Sequence, residues 1–442
     1  MPTRLTAHDL IDLVLDAESW SSWDTPPVYG DISDSYAAEL AAAREKAGTD
    51  ESVLTGEGLM RGRRVAVLVG EFGFLAGSIG RATADRLVAV YLRHPTTGGV
   101  MASWGSLGHV TVAEPGALVG FLGPRVYQAL YGEAFPEDVQ TSENLYARGI
   151  IDAVVAPEDI PDILDRALTC MLPDRAALSA VEDPADDPVP DVDTWEAVTR
   201  SRDPERPGVR RLLKYAAADV VPLNGTGQGE SDPGLLIALV RFGDVPCVFL
   251  GQDRRGQTAA HPLGPEALRE ARRGMRLASE LDLPLLTVID TAGAALSVNA
   301  ENGGLAGEIA RCLGDLVTLD APTLSLMLGE GNGGGALALL PADRVVAAQH
   351  AWLSPLPPEG ASAIVHRDID HAPEMARAQR VRALDLHALG VVDRVVAEKP
   401  DAAAEPEEFC RRVGAVLAAE LAGLLTRGPG APADRAARYL GG

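Results

Sequence analysis

Cysteine is scarce in this 442-residue chain: Cys170, Cys247, Cys312 and Cys410 stand far apart, and no CxxC pair occurs. That spacing indicates neither a zinc ribbon nor a dithiol redox motif. Scattered free thiols suit a reducing compartment, so a cytoplasmic location is expected. Aromatic residues make up only 5%, too few for a base-stacking platform. Basic residues are also in the minority, 39 Lys and Arg against 63 Asp and Glu, for a formal charge of -24. A surface this acidic repels phosphate backbones and argues against nucleic-acid binding. No apolar run reaches the roughly 18 residues that a membrane span requires. The first segment carries Asp9, Asp12 and Asp16 within its apolar pattern, so it reads as an amphipathic helix and not as a signal peptide.

Glycine is plentiful, with 46 residues, and 46% of the chain is hydrophobic. That mix suits an α/β protein with many tight strand–helix turns. Residues 6–17 read as a helix with Thr6 as N-cap and Asp9 three positions later. Residues 34–47 read as a second helix, stopped near Gly48. Val65 to Gly70 reads as a buried strand. The basic run Arg61-Gly62-Arg63-Arg64 reads as a solvated turn, with a nucleotide-phosphate contact as the sharper alternative. Arg81 to Val90 reads as a helix, and Tyr91 to Pro95 as a strand with no turn residue between them. The stretch around Val181 to Pro188 is rich in Asp and Pro without periodicity and reads as a linker. Strands and helices alternate again from about 235 to 397, and a last amphipathic helix covers about 405–426. The expected divisions are 1–172, a linker at 173–208, and 209–442.

Two stretches repeat one pattern. Ala147-Arg148-Gly149-Ile150-Ile151-Asp152-Ala153-Val154-Val155 and Ala388-Leu389-Gly390-Val391-Val392-Asp393-Arg394-Val395-Val396 each read as a helix stopped by Gly and followed by a strand. Upstream of each lies a Gly pair that reads as opening a helix: Gly98-Gly99-Val100 and Gly334-Gly335-Ala336. Such a repeat points to one fold used twice. A strand, a Gly pair and a helix start present bare backbone N–H groups to an oxyanion, with no Cβ in the way and the positive end of a helix behind them. Asp290 reads as an N-cap at a strand end, with general base as the alternative. Glu330 reads as satisfying backbone N–H groups of its turn, with a substrate contact as the alternative. His94 and His109 read as structural.

A longer set of motifs resembles a known family. Ile289-Asp290-Thr291-Ala292-Gly293-Ala294, Leu328-Gly329-Glu330-Gly331-Asn332-Gly333-Gly334-Gly335-Ala336 and Ser354-Pro355-Leu356-Pro357-Pro358-Glu359-Gly360-Ala361-Ser362 look like the α subunit of the acetyl-CoA carboxylase carboxyltransferase. So does the entry Trp195-Glu196-Ala197-Val198 with Arg202-Asp203-Pro204-Glu205-Arg206-Pro207. Thr55-Gly56-Glu57-Gly58, Glu71-Phe72-Gly73-Phe74-Leu75-Ala76-Gly77-Ser78, Pro95-Thr96-Thr97-Gly98-Gly99-Val100 and Ala113-Glu114-Pro115-Gly116 resemble its β subunit. The resemblance implies tandem crotonase-like (ClpP/crotonase) α/β domains, each a ββα superhelix. It implies transfer of a carboxyl group from carboxybiotin, held on a separate carrier protein, to the α-carbon of a short acyl-CoA. The expected pair is acetyl-CoA and malonyl-CoA, in fatty acid biosynthesis. Gly98, Gly99 and Val100 would hold the thioester enolate, and Gly334, Gly335 and Ala336 the ureido oxygen of biotin. Ala76, Gly77 and Ser78 would face CoA, Gly293 and Ala294 biotin, and Leu337 and Ala338 the acyl group.

The implied cofactors are biotin and a coenzyme A thioester, with no metal. Biotin carboxylase and biotin carboxyl carrier protein would be partner chains, because no Met-Lys-Met biotinylation site occurs here. A homodimer or larger ring would form the pocket. Two departures stand out. The β subunit's four-cysteine zinc ribbon is missing, and no Ser-Gly-Gly-x-Arg turn occurs. The family places about fifty residues where Val90 meets Tyr91 here, so the crossover expected between parallel strands is short. Two further readings stay open: a malonyl-thioester or malonate decarboxylase, and a non-catalytic carboxylase subunit.

Overall fold

In the computed structural model the described residues are 5–24, 34–49, 52–71, 89–172, 178, 180–258 and 260–440. The chain divides into two units, Met1–Arg166 and Ala167–Gly442.

The first unit begins with the helix Ala7–Val14, capped as its sequence implies: Thr6 Oγ1 accepts the Asp9 N–H and Asp9 reaches back to the Thr6 N–H. The short strand β1 (Ser21–Ser22) pairs with β2 (Val53–Met60), which forms a hairpin with β3 (Arg63–Gly70). Arg61 and Gly62 make its turn, both with positive φ, 50° and 77°. Two left-handed residues match the twist of the flanking strands. The basic cluster is exposed, but its guanidinium groups are engaged. Arg61 pairs with Asp162 and Asp165, Arg63 with Asp165, and Arg64 with Glu57. The solvated-turn reading therefore holds.

Strand β4 runs Ala89–Leu92, straight across the junction of Val90 and Tyr91. This corrects the expected helix over 81–90 at its end; residues 81–88 lie outside the described residues. Strand β5 (Thr96–Thr97) follows, then β6 (Val110–Ala113), β7 (Val119–Gly120) and β8 (Ala153–Val154). All their pairings are parallel: β4 with β6, β6 with β8, and β5 with β7. Their side chains, with Ala117, Leu145 and Ile151, build one apolar core.

The second unit carries a larger sheet. Its strands are β9 (Asp219–Leu223), β10 (Leu235–Phe242), β11 (Val245–Gln252), β12 (Leu285–Thr291), β13 (Thr323–Asn332), β14 (Arg344–Ala348), β15 (Trp352–Ser354) and β16 (Arg394–Val396). The order is β16-β14-β13-β12-β11-β10-β9, with β15 beside the far end of β13. The β9, β10 and β11 pairs are antiparallel and the rest parallel. Every residue of β11 and β12 is buried, as expected of strands covered on both faces. The helix Pro265–Glu280 packs on β11, and the long helix Pro406–Arg427 on β10 and β11.

The acidic stretch expected as a linker is fastened to the second unit. Arg394 takes Asp183, Asp186 and the Pro184 carbonyl, Lys399 takes Asp187, Arg382 takes Asp191, and Arg377 takes Asp193. The segment buries little apolar surface. Charge pairing orders it, which a hydrophobicity argument does not register. Among the described residues no helix is long and apolar enough to cross a membrane. The four cysteines are buried.

Candidate active site

Strand β13 serves two neighbours. Leu324 to Met327 pair with β14, while Glu330, Gly331 and Asn332 pair with Trp352, Leu353 and Ser354 of β15. The next residue, Gly333, has φ +68° and opens a five-residue helix, Gly333–Leu337. The left-handed region costs glycine little. Amides in a first helical turn find no partner within their own helix, so the turn offers donors from adjacent residues. Five residues are too short for the cumulative dipole expected from the sequence; the donors themselves are what remains. A Cβ on Gly334 would meet Ile309 Cδ1 at 2.8 Å, and one on Gly335 would meet Leu263 Cδ2 at 3.1 Å. These glycines are needed for packing as well as for access. Leu337 is half-buried, but Ala338 is fully buried in the core. Ala338 therefore does not line an acyl pocket within this unit.

The end of β12 is held against this turn. Asn332 Nδ2 donates to the Ala292 carbonyl at 2.6 Å, while its Oδ1 is buried without a hydrogen-bond partner. Gly293, with φ +124°, donates its N–H to Thr291 Oγ1 at 3.1 Å. Thr291 Oγ1 donates in turn to Gln257 Oε1 at 2.6 Å. The backbone amide of Gly293 is thus engaged internally. Ala294 pairs with Leu263 and stays half-buried. Gln252, fully buried, accepts the Asp290 N–H at 3.2 Å and donates Nε2–H to the Gly335 carbonyl at 2.8 Å.

Asp290 is not an N-cap. It lies inside β12, and its Oδ1 accepts the Glu330 N–H at 3.3 Å where the β12–β13 register shifts. A Cβ on Gly329 would collide with that oxygen. Burial pushes the Asp290 carboxyl up to about 6, against the pull of Arg254 and Arg206. Glu330 does not satisfy its own turn either; it takes Arg202 Nε at 2.7 Å, and Arg202 also takes Glu359. Behind them Arg206 forms a fully buried bidentate pair with Glu398, at 2.6 and 2.7 Å, and Glu398 also meets His350 Nδ1 at 2.9 Å. Burial alone would raise the Glu398 carboxyl; Arg206 and His350 hold it far below the usual range. Arg206 was legible within its Arg-Asp-Pro-Glu-Arg-Pro motif. Glu398, Gln252 and Asn332 were missed. The available signal was a polar residue closing an apolar strand, as Gln252 closes Val245–Gly251.

In the first unit the glycine turn takes another form. Gly98 has φ +61° and its N–H donates to the Phe121 carbonyl at 2.9 Å, extending the β5–β7 ladder. No α-helix follows, contrary to expectation. Turns lead instead to a 3-10 turn at Trp104–Ser106, because the Ser103 and Ser106 hydroxyls take the Gly99 and Met101 carbonyls. Gly98 is thus removed from the expected donor set, leaving exposed Gly99 and half-buried Val100. His94 is structural, its ring Nδ1 accepting the Leu118 N–H at 3.0 Å. Ala76, Gly77 and Ser78 lie outside the described residues.

The comparisons with known proteins agree with this architecture. A family model described as acetyl co-enzyme A carboxylase carboxyltransferase-like matches residues 179–439. A probable biotin-dependent acyl-coenzyme A carboxylase beta3 subunit of Mycobacterium tuberculosis is 54% identical over 470 residues, covering 95% of this chain and 94% of that one. A chain of Saccharopolyspora erythraea named acetyl-coenzyme A carboxylase carboxyl transferase subunits beta/alpha is 32% identical, covering 95% and 85%. Among solved structures, a transcarboxylase 12S chain with methylmalonyl-coenzyme A superposes with a TM-score of 0.71 at 18% identity, over 97% and 90% of the two chains. That last likeness speaks for the crotonase-like fold alone. The chain belongs to the carboxyltransferase family of biotin-dependent acyl-CoA carboxylases.

Proposed function

We propose that the chain transfers the carboxyl group of carboxybiotin to the α-carbon of a short acyl-CoA, acetyl-CoA giving malonyl-CoA. The observation that supports it is one glycine turn per unit, set directly after β13 where it pairs with β15 and directly after β5 where it pairs with β7. Carboxybiotin supplies the carboxyl group and, once that group has left as CO2, a nitrogen able to take the α-proton. The chain's task is then electrostatic. The amides of Gly99 and Val100 hold the thioester oxygen as charge develops on it, and those of Gly334, Gly335 and Ala336 hold the ureido oxygen. Each such donor is worth about a hundred- to thousand-fold in rate. The residues fit a ureido group: Gly333, Gly334 and Gly335 carry no Cβ, and Asn332 Oδ1 is a buried, unpartnered acceptor beside them, suited to a ligand N–H. Biotin carboxylase and the carrier protein come as separate chains, and copies of this chain assemble into a homodimer or larger ring.

A second reading, a non-catalytic carboxylase subunit, is favoured by one observation. The mycobacterial alignment spans 470 positions, more than the 95% of 442 residues it covers. That relative therefore has residues without a counterpart here. Reconstitution with biotin carboxylase, biotinylated carrier, ATP and bicarbonate decides the matter. Malonyl-CoA formed from acetyl-CoA is expected, with propionyl-CoA run in parallel to set acyl size. Carboxybiotin left unconsumed when CoA esters are added would sink the proposal and select the assembly role. CO2 released from malonyl-CoA without any biotin partner would select a decarboxylase.

A further inference from the structure

We infer that Gln252 is the positioning residue that aims the Ala336 N–H at the ureido oxygen, an inference that rests on the carboxyltransferase reading above. In a trans peptide the carbonyl of one residue and the N–H of the next point in opposite directions. Whatever fixes the Gly335 carbonyl therefore fixes the Ala336 amide. Gln252 Nε2 donates to the Gly335 carbonyl at 2.8 Å.

The helix itself leaves that carbonyl to Gln252. Ala338 N–H donates to Gly334 O and Leu339 N–H to Ala336 O, so the closing turn passes over Gly335 O. Gln252 is in turn fixed at its other end, its Oε1 accepting the Asp290 N–H at 3.2 Å. Asp290 belongs to β12, whose residues are all buried. The side chain is fully buried, so both bonds are made without competition from water, where they are worth most. Strand β12 thus acts as the fixed reference, and Gln252 transfers its position to the glycine turn. Gly333, with φ +68°, Gly334 and Gly335 lack the side chains that would otherwise stiffen this stretch, so an external brace has something to do.

The first unit gives the contrast. The β13–β15 register ends at Asn332 and Ser354, and the β5–β7 register at Thr97 and Gly120. Gly333 therefore corresponds to Gly98, and Gly335 to Val100. The Val100 carbonyl is taken by the Gly105 N–H at 3.0 Å and by the Ser103 N–H at 3.2 Å. That turn braces itself from within; the second depends on a residue 83 positions away.

Three variants test the inference in the full chain reconstituted with its carboxylase and carrier. Q252M keeps the length of the side chain but removes donor and acceptor. Q252E keeps the shape but sets a carboxylate oxygen against the Gly335 carbonyl. Q257M, which touches Thr291 and not Gly335, is the control. A ten- to thousand-fold loss of kcat in Q252M and Q252E is expected, with KM for acyl-CoA unchanged within about twofold. Buried in an apolar site, the carboxyl introduced by Q252E has a raised pKa. Once protonated it again donates to the carbonyl and accepts from Asp290. Its activity relative to the parent should therefore recover as pH falls, while Q252M shows no such recovery. If Q252M is too poorly folded to assay, the pH profile of Q252E alone carries the test. In the chain alone, without carboxylase or carrier, hydrogen exchange at the Ala336 amide should be faster in Q252M than in the parent; unchanged exchange there, unchanged kcat in Q252M, or a Q252E profile parallel to the parent's overturns the inference. So does a loss shared equally by kcat and acyl-CoA KM, the pattern of a merely structural residue. An inert parent chain would instead sink the carboxyltransferase reading, and this inference with it.

Discussion

The two units solve one backbone problem twice. In the first, β4 and β5 pair with β6 and β7; in the second, the two parts of β13 pair with β14 and β15. Each then returns through a six-residue helix, Ser142–Ala147 or Ala383–Ala388, closed by a left-handed glycine, Gly149 or Gly390. The strand that follows begins with the same clasp. Asp152 N–H donates to Thr111 O at 2.7 Å and its carboxylate accepts the Thr111 N–H at 2.8 Å. Asp393 does the same with Val345, at 2.8 and 2.7 Å. What differs is the glycine turn: Gly98 gives its amide to Phe121, whereas Gly333 opens a helix held from β11. Shared topology fixes where such a turn falls. It does not fix which amides stay available, because that depends on who takes the neighbouring carbonyls.

The comparison is open to attack at several points. Arg206→Met leaves the Glu398 carboxylate buried without its bidentate partner, and should cost the second unit about 3–5 kcal/mol. Hydrogen exchange of the β10 and β11 amides under denaturant measures it; a change below about 1 kcal/mol would mean the pair is dispensable. Gly335→Val forces a side chain toward Leu263 and Ala294, and should lower kcat about a hundred-fold or more. Gly98→Ala, whose amide is already engaged, should act mainly on stability, by about 1–2 kcal/mol at a left-handed position. Equal rate losses in the two variants would erase the asymmetry drawn between the turns.

A third attack uses pH. Glu270 is buried on the helix Pro265–Glu280, where its carboxylate accepts the Gly225 and Asp232 N–H groups. Burial pushes its carboxyl up to about 7. A raised carboxyl binds its proton more tightly folded than unfolded. The stability it contributes is thus full below about pH 4.5 and lost as pH rises through about 7. The second unit should lose about 3 kcal/mol from this group between those limits. Glu270→Gln should flatten that slope, as read from denaturant midpoints at pH 5 and pH 8. The clasp is a further point: Asp152→Ala and Asp393→Ala should each destabilise their own unit by about 1–3 kcal/mol. A clasp that matters in one unit only would weaken the case for duplication.

Much of this was legible from residues alone. The repeated Ala-Arg-Gly-Ile-Ile-Asp-Ala-Val-Val and Ala-Leu-Gly-Val-Val-Asp-Arg-Val-Val patterns located both helix–strand returns, since a glycine stop and a β-branched strand are local signals. The hairpin turn at Arg61-Gly62 and the first helix with its Thr6 cap were legible for the same reason. The start of β4 was misread because Arg81 to Val90 offers helix and strand formers alike, and parallel pairing with β6 decides between them. Asp290 was misread as a cap because its partner, the Glu330 amide, lies forty residues on. The acidic segment 181–193 was read as a linker because its order comes from arginines in the helices and strands around residues 377–399.

Sequence by itself determined the family, the duplication, the glycine turns and the lack of any zinc or redox cysteine motif, because each of these is written in short runs of residue types. Tertiary structure alone decided that Gly98 gives up its amide, that Gly335 rather than Gly334 is braced by Gln252, and that the acidic strap lies on the second unit. Those outcomes are hydrogen bonds and ion pairs between residues tens to hundreds of positions apart. The free energy of such contacts depends on burial and direction, neither of which a linear pattern contains.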